Sequence, residues 1–203
     1  MKIRHITRLD HKVIYNILEP GTKVLDLGCG DCELLYWPVK KKGIIAQGIE
    51  LDEEAIYKCV EKGISVLHGD IESGLEGFPD KSFDYVILNQ SMQETKNVSF
   101  VMDEALRVGK KVIVGFPNFA HFKARAMLFF EGKAPILPSL PFKWYDTPNL
   151  HFLSIIDFKD FCEEQYITIL KAYYLGKKRL IRLFPNFFAV HSIFLLQRNL
   201  PKT

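Results

Sequence analysis

Short β-branched apolar runs alternate along this chain with stretches whose apolar residues recur every three or four positions. Lys23–Leu27 reads as a buried strand. Cys32–Lys41 reads as a helix, weakened in its second half by Pro38. Ile44–Glu50 is a second strand and Asp52–Gly63 a capped helix closed by Gly63. "ISVLHGD" supplies a third strand, "FDYVILN" a fourth, Val98–Val108 a helix and "KKVIVGF" a fifth strand. Strands alternating with helices of this length predict a parallel sheet with right-handed crossovers. The strands are β-branched throughout, as expected where helices cover both faces. Ahead of the first strand, "MKIRHITRLDHKVIYNIL" is charged and patterned like a short amphipathic helix.

The pattern changes after Pro117. Residues 117–152 carry Pro117, Pro135, Pro138, Pro141 and Pro148 among many aromatics, with no regular strand, and read as an insertion over one edge of the sheet. Ser154, with Asp157 three residues on, signals the N-terminus of a helix ending near Glu164. Two late strands, Thr168–Leu175 and Val190–Gln197, flank a basic, aromatic loop and predict an antiparallel hairpin that completes the sheet. No linker interrupts the pattern, so residues 1–203 read as one α/β domain.

Composition narrows the partners. Of 203 residues, 48% are apolar and 25% charged, the balance of a globular protein, and the net charge of +3 gives no reason to expect nucleic acid. Basic clusters at Lys40–Lys42 and Lys177–Arg179, with Arg182 nearby, read as solvated helix ends or hairpin tips. No secretory signal is recognisable, and no apolar run approaches the ~18 residues a membrane span needs, so no membrane partner is expected. Four cysteines do not suggest a disulfide scaffold, and a reducing cytoplasm is the expected compartment.

The chemistry concentrates in "VLDLGCGDCELL", where a strand breaks at Gly28 and Gly30 and a helix begins. Such a turn lets backbone approach a ligand, and the helix N–H groups beyond it favour negative charge. Glu33 stands where a dinucleotide fingerprint needs its third glycine, and no Gly-Lys-Ser/Thr follows, so phosphate is a poor ligand beside Asp31 and Glu33. A ligand with an α-amino group suits this acidic turn, and S-adenosylmethionine (SAM) is one. Glu50 ends the second strand where an acid bonds ribose hydroxyls; Asp70 ends the third where a carboxylate can accept from the adenine amine; Asn89 and Gln90 end the fourth. Plainer roles exist for the same residues. Asp26 reads as a brace hydrogen-bonded to the glycine turn, Glu50 alone as a solvated strand end, and Asp70 as the cap of a short turn. A rival reading takes Cys29 and Cys32 as a redox dithiol at a helix start, against which Asp31 and Glu33 would oppose thiolate formation. Cys59 and Cys162 lack metal-ligand spacing, so no metal is expected.

"VLDLGCGD", "GIELDEEAIYKCVEKGISVLHGDIESGLEGFPDKSFDYVILNQSMQ", "DEALRVGKKVIVGFPNFAHFKAR", "PILPSLPFKWYDTPNLHFLSIIDFKDFC" and "FPNFFA" together resemble the methionine biosynthesis protein MetW family, over about Tyr15 to Arg198. The glycine turn is common to many methyltransferases, whereas "FPNFAHF" with "WYDTPNLHF" is specific to this family. The resemblance implies a Rossmann-like class I methyltransferase fold with a mostly parallel seven-stranded sheet. It also implies a SAM-type pocket at Gly28, Gly30, Glu50 and Asp70, to which Asp26, Asp31, Leu51, Ile71 and Asn89 are added as expected cofactor contacts, for SAM or S-adenosyl-L-homocysteine (SAH). It further implies a role in methionine biosynthesis beside homoserine O-acyltransferase (MetX). The family usually carries glycine where this chain has Cys32, whose side chain either crowds the amino-acid end of SAM or points aside. Methyl transfer itself needs chiefly positioning and at most a base, for which His121 and His151 are the candidates. The aromatic segment 135–152 equally suits a protein contact.

Overall fold

The computed structural model describes residues 6–199, so the opening residues of the N-terminal helix expectation lie outside the described part. Within it, α1 runs Leu9–Ile17, followed by β1 (Lys23–Leu27), α2 (Glu33–Lys42), β2 (Ile45–Glu50), α3 (Glu53–Glu61) and β3 (Ser65–His68). Then come β4 (Phe83–Asn89), α4 (Val98–Val108), β5 (Gly109–Pro117), the short α5 (Phe122–Ala126), α6 (Ile155–Glu164), β6 (Ile167–Leu175), a single-turn α7 (Pro185–Phe188) and β7 (His191–Arg198). The strands form one seven-stranded sheet in the order β3-β2-β1-β4-β5-β7-β6. β1 to β5 are parallel, while β7 is antiparallel to both neighbours, β5 and β6. This is the expected α/β architecture: a mostly parallel sheet completed by an antiparallel hairpin.

Alternate residues of the central strands feed two cores. From β4, Val86 and Leu88 pack with Val112 and Val114 of β5 against Met102 and Ala105 of α4 and Phe158 of α6. Tyr85 and Ile87 point the other way, toward Ile14 of α1 and Leu35 of α2. The densest packing on the first face is aromatic: Phe116, Phe158 and Phe194 have ring centroids 4.8–5.8 Å apart, with Tyr174 6.2 Å from Phe194. Helix starts follow the local chemistry. Asp52 accepts from the N–H groups of Glu54 and Ala55, and Ser154 and Asp157 form the reciprocal capping box. α2 continues through Pro38, which is buried in it, and stops at Gly43 with φ +62°.

The insertion after Pro117 holds more regular structure than its prolines suggest, with α5 running into a π-helical turn over Met127–Glu131. It leaves the carboxyl end of β5, an interior strand. Leu150 and His151 donate their N–H groups to the Gln93 carbonyl, and Phe119 donates to Leu153. The segment is thereby tied across the carboxyl ends of β4 and β5, where the sequence placed it over an edge. Phe129, Phe130, Trp144 and Tyr145 on it are 65–82% exposed. No helix among the described residues is long and apolar enough to cross a membrane.

Phe194 joins both hairpin and sheet to this aromatic cluster and has no solvent exposure. Phe194→Ala is expected to lower the unfolding free energy by about 3–5 kcal/mol, read from urea denaturation followed by circular dichroism.

Candidate functional site

Leu27 ends β1 in the middle of the sheet, and the chain must then turn sharply to start α2. Gly28 has φ +72° and lies so near Ser91 that a Cβ there would sit 2.7 Å from the Ser91 Cβ; only glycine meets both demands. Ser91 Oγ donates to the Leu27 carbonyl (2.7 Å), and the N–H groups of Gly28 and Cys29 donate to the Ile49 carbonyl of β2. Gly30 has φ +54° and open space where a Cβ would project. Its N–H donates to Glu50 Oε2 (2.7 Å), while Glu50 Oε1 accepts from Leu51 (2.8 Å) and Asp52 (3.0 Å). Glu50 is thus a brace of the turn as well as the acid at the end of β2.

Two hollows open beside this turn, both at the carboxyl ends of the parallel strands. The larger, about 380 Å³, is walled by Gly28, Gly30, Glu50, Leu51, Asp70 and Ile71 among others. The smaller, about 170 Å³, is walled by Gly28, Gly30, Asp26, Asp31 and Asn89, joined by Arg8 and His11. Gln90, at φ +67°, borders both. Every cofactor contact expected from the sequence lies on one hollow or the other. Asp70 also caps the turn Ile71–Ser73 by accepting from Glu72 N–H (2.8 Å), so it fills the plainer role while facing the hollow.

The electrostatics divide the acids. Asp26 is 2% exposed, and among the described residues its carboxyl has no hydrogen-bond donor. Burial, reinforced by the charge of Glu50, pushes it up to about 7. The expected bond from Asp26 to the glycine turn is absent, because Glu50 and Ile49 have taken the turn's N–H groups. Asp31, at the outer rim, is held below the ordinary carboxylate value by a hydrogen bond from Lys62. Asp10 was not foreseen. Burial raises it, but the hydrogen bond and charge of Arg8, the charge of His11 and a bond from Asn89 hold it at about 2. Gln90 Nε2 donates to the same carboxylate (3.2 Å), which links α1 to the carboxyl end of β4. Nothing in the sequence spacing of 79 residues between Asp10 and Asn89 announces that contact.

The cysteines correct the sequence reading. Cys32 is joined to Cys59 of α3 by a disulfide, with the Cα atoms 5.3 Å apart, whereas no disulfide was expected. Cys29 Sγ lies 3.5 Å from Cys32 Sγ but remains a free, buried thiol. Burial first, then Asp26 and Glu50, pushes that thiol well above its ordinary range, which removes the reactive thiolate the dithiol reading requires. The sulfurs of Cys29, Cys32 and Cys59 all lie within 4.8 Å of one another, with two of the three spent on the disulfide. Cys32 sits at φ +60°, a conformation suited to the family's glycine, and its fully buried side chain turns toward α3 and borders neither hollow.

The two histidines lie apart from the hollows. His121 is buried at the start of α5, where Nδ1 accepts from Lys123 N–H (3.3 Å), and burial lowers its pKa. His151 Nε2 lies 2.9 Å from the Thr95 carbonyl. Facing an acceptor, Nε2 carries the proton, which leaves Nδ1 as the only nitrogen able to act as a base. Thr95 itself walls the larger hollow, so His151 is one residue removed from it.

Comparison with known proteins agrees with this geometry. The family described as methionine biosynthesis protein MetW matches residues 8–196. A bifunctional methionine biosynthesis protein MetXA/MetW of Rhodopirellula baltica is 35% identical over 172 residues, covering 79% of this chain and 27% of the relative. The chain therefore spans little more than a quarter of that relative's length. Among solved structures, a SAM-dependent methyltransferase of Thermotoga maritima superposes with a TM-score of 0.68 over 94% of this chain and 89% of its own, at 18% identity. One from Geobacter sulfurreducens, in complex with SAH, superposes with a TM-score of 0.63 over 96% and 92%, at 16% identity. At these identities the likeness establishes the class I methyltransferase fold.

Two measurements test the site. In denaturant without reductant the chain should titrate two thiols, Cys29 and Cys162; only after reduction should all four react. Four reactive thiols at the outset would mean that Cys32 and Cys59 are not joined. For Asp26, the folded-state pKa is raised from 3.8 to about 7, so between these values the folded protein keeps a proton that the unfolded chain releases. Its contribution to stability falls as pH rises through that window. The stability of Asp26→Asn relative to the parent should accordingly rise from pH 4 to pH 7; a pH-independent difference would show that Asp26 is already ionised.

Proposed function

The chain belongs to the methionine biosynthesis protein MetW family, and on that premise we propose that it binds SAM or SAH in the paired hollows and acts with homoserine O-acyltransferase (MetX). The observation that carries the cofactor reading is the buried, donor-less carboxyl of Asp26 on the smaller hollow, a short way from the carboxylate of Glu50 on the larger. A carboxyl with no protein donor, opening onto the hollow, is completed by a ligand that supplies a donor or positive charge. The ammonium of SAM or SAH supplies both. Asp26 and Asp31 would then face the ammonium, Arg8 the carboxylate, Glu50 the ribose hydroxyls and Asp70 the adenine amine. When bound, SAM contributes a positively charged, already activated methyl donor. The chain's part is to orient it.

The partner reading is supported by the fused relative, which carries both names in one polypeptide, and by the exposed aromatics Phe129, Phe130, Trp144 and Tyr145 on the insertion, residues of the kind that anchor protein contacts. A biosynthetic role sets the protein in the cytoplasm. There the Cys32–Cys59 bond is shielded, because both residues are fully buried. A second reading, methyl transfer to a small molecule with His121 or His151 as base, draws support from a passage that leads out of the smaller hollow. That passage shares Arg8 and Gln90 with the hollow and opens toward the groove on which His121 lies.

Calorimetric titration with SAM and with SAH should give micromolar binding, about −8 kcal/mol. Glu50→Gln, which keeps one acceptor for the turn, should weaken it at least about tenfold, the worth of one charged hydrogen bond. Absence of heat with both ligands, in protein whose melting is normal, would overturn the cofactor reading. Co-purification with homoserine O-acyltransferase, lost when Trp144 and Tyr145 become alanine, tests the partner; no complex would remove it. Transfer of label from methyl-labelled SAM to an acceptor would favour the second reading.

A further inference from the structure

Away from the cofactor hollows lies a larger groove of about 900 Å³. It is assembled from three segments far apart in sequence: the start of α5, the turn Leu137–Ser139, and the loop from Gly176 through Phe188 and Val190 that joins β6 to β7. Its apolar wall includes Phe122, Leu137, Leu180, Ile181 and Phe188. Around it stand Lys123, Lys177, Lys178, Arg179 and Arg182, and no acidic residue lines it. Among the described residues none of these five cations is in an ion pair.

The cations are displayed by a folded turn. Gly176 donates to the Arg179 carbonyl (2.8 Å), Ile181 donates to the Tyr174 carbonyl (2.7 Å), and a Cβ on Gly176 would meet Ile181 at 2.9 Å. From the sequence, Lys177–Arg179 reads as a solvated hairpin tip; the residues are exposed, and they also stand at the rim of an apolar cavity. Unpaired positive charge above a concave apolar floor is complementary to a ligand that is apolar at one end and anionic at the other. We propose that this groove binds an amphipathic anion: an apolar chain or ring system bearing a carboxylate or phosphate. The volume is that of a small-molecule site rather than a flat protein contact. The groove also communicates with the cofactor side. A hollow of about 410 Å³ shares Pro138, Ser139, Gly176, Lys177 and Val190 with it, and Arg8 and Gln90 with the smaller cofactor hollow. The binding does not depend on SAM being held, although a molecule of this class lying in the groove would have its far end directed toward Arg8.

The probe is 8-anilinonaphthalene-1-sulfonate, itself an apolar anion, titrated by fluorescence into the full chain without SAM. The expected result is saturable binding of one equivalent, displaced by laurate and by dodecyl phosphate but not by dodecanol. The double variant Lys177→Glu/Arg179→Glu, both exposed positions, should bind dye and laurate about tenfold more weakly while melting as the parent does. The laurate and phosphate arms separate the two headgroup chemistries. No saturable binding, equal displacement by dodecanol, or an unchanged affinity in the double variant would overturn the proposal. So would displacement by an acidic, leucine-rich peptide but not by laurate, which would give the groove to a protein partner. A SAM-binding failure leaves this outcome untouched.

Discussion

A carboxylate offers about four acceptor positions, and Glu50 commits three of them to the N–H groups of Gly30, Leu51 and Asp52. This pairing holds the end of β2 against the turn that leaves β1, so the two strands that border the paired hollows are registered at their carboxyl ends by a side chain as well as by their ladder. Gly28 against Ser91, and Cys32 bonded to Cys59, fix the same turn from the other two sides. The turn is therefore arranged before any ligand arrives. On the proposed cofactor reading, a ribose with two hydroxyls to donate would find one free acceptor position on Glu50 and would have to share or replace the bonds from Leu51 and Asp52. Gly30 can keep its bond to Oε2 throughout, and the backbone beneath the ligand need not move.

The acids of the site differ in charge because they differ in depth and in the donors around them. Burial first, and then the charge of Glu50 at the end of the adjacent strand, raises Asp26 to about 7. Asp10, also buried though less deeply, stays ionised because Arg8, Asn89 and Gln90 surround it with donors. On the proposed reading, an ammonium in the smaller hollow would stand beside Asp26 and favour its charged form, which would link ligand uptake to proton release at that carboxyl.

Much of the architecture could be read from local pattern, since local chemistry decides it. Phe83–Asn89 and Val98–Val108 carry their periods so plainly that the observed elements coincide with them, and Ser154 with Asp157 announces its helix by spacing alone. The carboxyl-end acids were legible for a related reason: in a parallel sheet, strand ends converge on one rim. What escaped depends on contacts between distant segments. Cys29 and Cys32 attract attention as a close pair, yet Cys32 finds its partner 27 residues on, because Cys59 of α3 is buried in the same core cluster as the turn. Arg8 and Asp10 reach the site from a helix with no motif, and the groove above α5 exists only where three segments meet. Asp26 was expected to brace the turn, but the donors it would have used belong to its neighbour's acceptors.

The place of β7 in the sheet bears on the order in which the molecule can be made. It is the last of the described strands in chain order, yet it lies between β5 and β6, with Phe194 and Leu196 in the larger core. While residues 191–198 are still inside a ribosome, β5 presents an unpaired edge, and Phe116 and Phe158 lack the ring that closes over them. The five parallel strands can assemble during translation, but the sheet cannot seal until this segment emerges. For that interval the nascent chain carries an open β-edge bordered by aromatic surface, which is the form in which it would most need a chaperone.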